Sequence, residues 1–395
     1  MAYETWADEL KQNFDETVSW RRHLHEHPEP SFEEKETAQF ILAKLKEFGV
    51  EDIQTNVGNG YGIVARIKGA HPGPTIALRA DFDALRIKEE ANVPFKSKKE
   101  GFMHACGHDG HTASLLSVAK MLVNHKDELK GNVVLLHQNA EEVLPGGAKS
   151  MVEAGALEDV DYVFGIHLGA TQELGKVYYN YRFGSANSDT FRLNIQGKGG
   201  HGAAPHDTHD ALTIGTQIVS SLQQIVSRLA DPVKPAVLTF AGFNAGGEAY
   251  NIIADTAEIK GTIRTMHKEI QDLMESKLKS ISTGIAEAFD ATLAIDYVRG
   301  YPSIQNDPAQ VERIKQKFST VFTEELMEEE VEGSMGGEDF AYFLKEKPGA
   351  FLRVGAKFPE DESPYPHHHP KFVIHEDSLL RSGEVFLAII DEYLS

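Results

Sequence analysis

The chain has 395 residues, 41% of them hydrophobic and 25% charged, with a formal net charge of -21 and a single cysteine. That length admits two domains and a large core, and the composition is that of a globular protein. The acidity argues against nucleic acid or an anionic membrane as partners, one cysteine excludes an internal disulfide, and no stretch approaches the ~18 apolar residues of a membrane span.

The N-terminal stretch Met1 to Asn13 is polar and lacks the apolar core of a signal peptide, so a cytoplasmic location is expected. A first helix is predicted from about Thr5 to His25, stopping before Pro28 and Pro30. A second begins at Ser31, with Glu34 completing a capping box, and ends at Gly49. Short apolar runs at Gly62 to Ile67, Thr75 to Ala80, Asn132 to His137 and Asp161 to Leu168 read as strands. A helix lies between them from His111 to Val123, and this alternation implies an α/β sandwich.

The pattern changes near Gly184. Strand Asp189 to Gln196, helix Ala211 to Leu229, strands Ala236 to Phe243 and Thr256 to Arg264, helix Lys268 to Phe289 and strand Thr292 to Val298 follow in turn. That order is βαββαβ, the ferredoxin-like split unit. After Pro302 come helices from Pro308 to Phe322 and Glu338 to Lys345, strand Ala350 to Val354, and a last helix from Ser378 to Leu394. The fold expected is a discontinuous α/β/α-sandwich domain, residues 1–184 and 300–395, with a ferredoxin-like domain inserted at 185–299.

Side chains able to bind metal fall on both sides of the insert. Cys106 lies two residues before His108 in a Gly-containing loop, where a lone cysteine would otherwise be a small buried hydrophobe. His104 is a weaker ligand or a supporting residue, and His111 is as well placed to cap or pack a helix. Glu141 and Glu142 end an apolar strand, where neighbouring side chains diverge: one carboxylate can bind metal while the other acts as a base. His167 sits in an apolar strand, where a satisfied core histidine is the plainer alternative. One member of His367-His368-His369 is expected to bind, and spacing does not say which. Asp81 and Asp83 either orient ligands or form a turn, and His23, His25 and His27 read as a helix end.

The ordered motifs ALRADFDAL, MHACGHDGHT, AEE, GIHL, GKGGHGAAPH, GTIRT, GGEDFAYF and HHPKFVIHEDSL span nearly the whole chain. With them the chain resembles the dinuclear-metal amidohydrolases that include aminoacylases, hippurate hydrolase, plant auxin-conjugate hydrolases and, more distantly, carboxypeptidase G. The resemblance implies that Cys106 bridges two divalent ions, manganese or zinc first and cobalt or nickel next. His108 and His167 would complete one ion, Glu142 and His368 the other, and Glu141 would be the general base. It further implies that His201 reaches the partner subunit's active site in a homodimer formed through the insert, and that Asn251 and Arg264 hold the substrate carboxylate. The substrate implied is an N-acyl amino acid or a short peptide. Two departures stand out: Arg86 where the family has proline after its aspartate motif, and Asn139 where it has proline before the base. The competing readings are a Cys106-nucleophile hydrolase, a dipeptidase of the same fold, and a silent metal-binding protein.

Overall fold

The computed structural model describes residues 2–395, which divide into two units. The larger comprises residues up to Gly184, Ile304–Gly333 and Asp339–Ser395; the smaller comprises Ser185–Ser303 and Ser334–Glu338. The split expected at residue 299 thus falls at Ser303. The short return segment joins the smaller unit because Ser185 bridges Ser334 and the Ala186 N–H bonds to the Gly336 carbonyl.

The larger unit is built on an eight-stranded sheet. Its order is Asp52–Val57, Gly62–Lys68, Lys130–Gln138, His71–Asp81, Tyr162–Glu173, Gly349–Lys357, Val177–Tyr179 and Met327–Glu329. The four middle strands, from Lys130–Gln138 to Gly349–Lys357, run parallel. Their continuous apolar runs follow from burial on both faces. Val133, Leu135, Ile76, Leu78, Phe164 and Ile166 enter one core, with the helices Lys35–Phe48, His108–His125 and Asp377–Leu394. The alternate residues Val134, Leu136, Ala77 and Val163 enter a second core, with Ala148, Met151, Phe340 and Phe343.

Several predicted helix limits move, among them the His111 and Glu338 starts, which fall at His108 and Ala341. The first helix is two, Ala2–Gln12 and Phe14–Glu26, separated at Asn13. The second starts at Lys35 rather than Ser31, because Phe32 has a φ of 68° and cannot continue a helical turn. Glu34 makes no side-chain cap there; its carboxyl is engaged elsewhere. The helix does end at Gly49, which adopts the left-handed φ of 91°.

The smaller unit has a four-stranded antiparallel sheet in the order Thr292–Val298, Asn187–Gln196, Thr256–Thr265, Ala236–Ala245. This is the ferredoxin-like order. Phe191, Leu193, Ile195 and Ile259 pack against Ile214, Ile218, Met274 and Leu278 of the helices Ala211–Gln224 and Lys268–Ala288. A short antiparallel ladder pairs Gly200–His201 with the sequence-distant Ile252–Ile253. No helix among the described residues is long and apolar enough to cross a membrane.

Candidate metal and active site

Three parallel strands deliver their carboxyl ends to one place, where open α/β sheets build their sites. Asp81 ends one strand and is in register with Gln138, which ends the next; His167 lies in the third, opposite Arg353. The chain then turns sharply. Ala140 has a φ of 53°, and Glu141 and Glu142 follow. Gly107, with a φ of 90°, ends the loop that holds Cys106, and His108 is the first residue of its helix.

The donor atoms of Cys106, His108 and His167 lie within 4.8 Å of one another, and so do those of Cys106, Glu142 and His368. Cys106 is common to both groups. A third group joins His108, Glu141 and Glu142. The Cys106 Sγ is 3.5 Å from His167 Nε2, and Glu142 Oε1 is 3.2 Å from His368 Nε2. His108 Nδ1 faces Asp83 Oδ1 at 3.1 Å, so its Nε2, buried and without a hydrogen bond, is the atom turned to the cluster. A carboxylate behind a histidine in this way fixes the ring for ligation.

The electrostatics point the same way. Burial pushes the Cys106 thiol well above its ordinary value, and the carboxylates of Glu142, Glu141 and Asp81 push it further. A thiolate here therefore needs positive charge beside it. That disfavours a Cys106 nucleophile and suits a soft donor facing cations. Burial opposes protonation of His108, but Asp81, Asp83 and Glu142 outweigh it and raise its pKa to about 10. Cations in the cluster would replace that proton, so the donor set fits divalent metal.

The remaining histidines sort by their bonds. His111 Nε2 accepts the Leu168 N–H at 2.9 Å, so its Nδ1 carries the proton shared with Asp81 at 2.6 Å. No lone pair is left for a metal. His367 lies 3.7 Å from the Cys106 sulfur, but its Nε2 faces the Ala170 N–H. His369 Nδ1 accepts the Lys371 N–H, and its ring stacks on Tyr365. His368, with a φ of 66°, is the member of the triplet that meets Glu142. His104 is buried with neither ring nitrogen bonded, so it supports no other side chain through a hydrogen bond.

Sequence reasoning missed one part of the surroundings. His25, read as a helix end, is buried between Asp109 and Glu89 at 2.9 and 3.2 Å. Arg21 also bonds Asp109 at 2.8 Å, which ties the N-terminal helix Phe14–Glu26 to the helix that begins at His108. Arginine and histidine four apart on one helix was the available signal. Arg86 pairs at the surface with Glu33 and lies over Phe102.

The smaller unit places its predicted residues differently. His201 is exposed, and its Nδ1 accepts the Ala203 N–H at 3.0 Å. Asn251, also exposed, neighbours it through the Gly202 N–H to Asn251 carbonyl bond of 2.8 Å. Arg264 is half-buried and faces the carbonyl oxygens of Ile263 and Asp189. It stands eight residues along its strand from Thr256, the end next to that short ladder, a span of roughly 26 Å. Asn251 and His201 come together; Arg264 does not join them within one chain.

The model of the peptidase family M20/M25/M40 matches residues 77–392. The chain belongs to this family. It is accordingly a hydrolase of amide bonds. A Bacillus subtilis (strain 168) protein named as a putative amidohydrolase, YhaA, is 47% identical over 374 residues, covering 94% of this chain and 93% of that one. The N-acyl-L-amino acid amidohydrolase of Geobacillus stearothermophilus is 44% identical over 303 residues, 76% of this chain and 81% of the relative. Thermostable carboxypeptidase 1 of Saccharolobus solfataricus is 37% identical, over 97% and 98% of the two chains. Among solved structures, the Bacillus subtilis YXEP protein, a dinuclear metal binding peptidase from the M20 family, aligns with a TM-score of 0.82 at 34% identity, covering 96% of this chain and 98% of that one.

Proposed function

We propose that this M20-family hydrolase cleaves N-acyl amino acids to a carboxylic acid and a free amino acid, using two divalent ions, manganese or zinc. The observation that carries the reading is the pair of three-donor groups sharing Cys106, with Glu141 beside them. A structural metal site has no use for a spare carboxylate at its edge; a hydrolytic one does. Cys106, His108 and His167 would hold one ion, and Cys106, Glu142 and His368 the other. The ions, when bound, supply polarisation of the amide carbonyl and a lowered pKa for the attacking water. Glu141 accepts that water's proton during attack on the carbonyl carbon and passes it to the leaving nitrogen.

His201 is assigned as the donor to the developing oxyanion, acting on the partner subunit of a homodimer formed through the smaller unit. The roughly 26 Å of strand that separates Arg264 from Thr256, the end nearer His201, supports this. A small substrate cannot bridge it, so one substrate held by both needs His201 and Asn251 from one chain and Arg264 from the other. The Arg264 guanidinium suits a substrate carboxylate. A cytoplasmic enzyme is the setting proposed.

A carboxypeptidase or dipeptidase activity is the second reading, favoured by the likeness to the Saccharolobus carboxypeptidase. A screen of N-acetyl and N-benzoyl amino acids against dipeptides, after loading with manganese, zinc, cobalt or nickel, separates the two. Preferential cleavage of N-acyl amino acids supports the first reading. Activity on dipeptides alone overturns it.

A further inference from the structure

Glu34 is fully buried, yet none of the steps above uses it. Its Oε1 accepts the backbone N–H of Ala140 at 2.8 Å, across 106 positions of sequence. Ala140 is itself fully buried and is one of the few non-glycine residues held at positive φ, a conformation that persists only where its surroundings impose it. It immediately precedes Glu141 and Glu142.

The turn is pinned at three points. The Ala140 carbonyl receives the Gly147 N–H at 3.1 Å. The Glu142 N–H bonds to Asp83 Oδ2 at 3.0 Å. Glu34 holds the third point, the Ala140 N–H. The loop that presents Glu34 is sharply bent, with a φ of 68° at Phe32, and within it Ser31 donates to Asp83 at 2.6 Å. One loop thus fastens both Asp83 and Ala140.

We propose that Glu34 is a positioning residue: by accepting the Ala140 N–H it holds the left-handed turn that sends Glu141 and Glu142 in their separate directions. The inference rests on the reading of Glu141 as the base. Burial, with Asp83 close by, raises the Glu34 acid to about 8. The bond itself needs only an acceptor oxygen at that place, which an amide of the same shape also presents. Without an acceptor, the Ala140 N–H is buried and unpaired, and the strained turn loses the bond that opposes its relaxation.

The test compares Glu34→Ala, Glu34→Gln and Glu34→Asp in the full manganese-loaded chain, with N-acetyl-L-methionine and hippurate as probes. Glu34→Ala should lower kcat by about 10²-fold, the scale of a misplaced catalytic group, with KM within about threefold. Glu34→Gln should recover most of that loss. Glu34→Asp, too short to reach Ala140, should lose activity in the same sense but less, and it serves if the alanine variant does not fold. Deuterium uptake at the Ala140 amide in metal-free protein is the second readout: faster in the alanine variant, near wild type in the glutamine one. The proposal is overturned if uptake at Ala140 does not change, if Glu34→Gln loses as much as Glu34→Ala, or if only KM and melting temperature move. If wild type cleaves neither probe, the substrate reading fails, and the uptake comparison alone decides the role of Glu34.

Discussion

The two units keep their functional side chains in opposite surroundings. In the larger, Cys106, His108, Asp81 and Asp83 are almost wholly removed from water, and His108 lies between the two aspartates. In the smaller, His201 and Asn251 stand exposed on and beside a short two-strand ladder. The difference teaches what each role requires. Holding charge out of water needs partners from several segments, because an unpaired buried charge is prohibitively costly. Here they come from residues 81–83, 106–111, 141–142 and 167–168. The role proposed for His201, meeting a ligand only when the partner subunit arrives, asks for no such enclosure, and a two-residue ladder presents the side chain to water. The glycines around His201 fit that: Gly199 and Gly200 have backbone or side-chain atoms where a Cβ would go, so the loop lies tightly against Asp255 and Thr208.

The sharpest way to break the comparison is to disarm each region alone. Glu141→Gln should lower kcat by at least ~10²-fold with metal content and fold intact, since only proton transfer is lost. Cys106→Ala should instead lose most bound metal; full metal by elemental analysis in that variant would refute the shared-sulfur arrangement. His201→Ala should lower kcat by roughly 10²-fold, the scale of a lost oxyanion donor, with metal content unchanged. Mixed dimers of the Glu141→Gln and His201→Ala chains should regain one working site. Verified mixed dimers without recovered activity would rule out donation between subunits.

The next effect is on stability and belongs to the buried region alone. Burial would raise the Asp109 pKa, but Arg21 and His25 outweigh it and hold the carboxyl far below its ordinary value. A depressed carboxyl contributes stability above about pH 4 that is lost as pH falls further. Metal-free protein should therefore lose melting temperature steeply below about pH 4. Asp109→Asn should cost about 3 kcal/mol at pH 7, because the buried Arg21 loses its buried counter-charge and keeps only the more exposed Glu376. It should also flatten the acid limb. His108 works in the other direction: its raised pKa of about 10 stabilises metal-free protein below about pH 6.5, and that contribution is lost as pH rises through 10. A metal-free protein whose stability does not vary with pH over these ranges would contradict the buried-charge picture.

The smallest effect concerns Arg264. Replacing the substrate carboxylate by a carboxamide should lower kcat/KM by about 10- to 10²-fold, the value of a charge-assisted hydrogen bond. Equal values for the two substrates would leave Arg264 as a structural residue of its strand.

Much of the fold could be read from the chain. Strand and helix periods are local properties, and the βαββαβ order of 189–298 emerged from them with each regular element in place. What escaped was short or set by distant contacts. The strand Val177–Tyr179 has three residues, too few to show a period. The Ser31 start failed because Phe32 turns left-handed and the Glu34 carboxyl, free to cap in the sequence, is taken by Ala140.

By its sequence alone the chain determined an inventory: a thiol, imidazoles and paired carboxylates, in an order that resembles one family of hydrolases. Which of these atoms meet was decided only in three dimensions. His368 rather than His367 or His369 faces Glu142, since the other two imidazoles are engaged by backbone N–H groups. His111 is withdrawn from the donor set by Leu168 and Asp81, and His25 is drawn from its helix end into a buried ion network with Asp109 and Glu89. The reason is physical. Residue type sets what a side chain can bind, but a histidine has two nitrogens and one environment. Which nitrogen stays free depends on hydrogen bonds from segments far away in the chain.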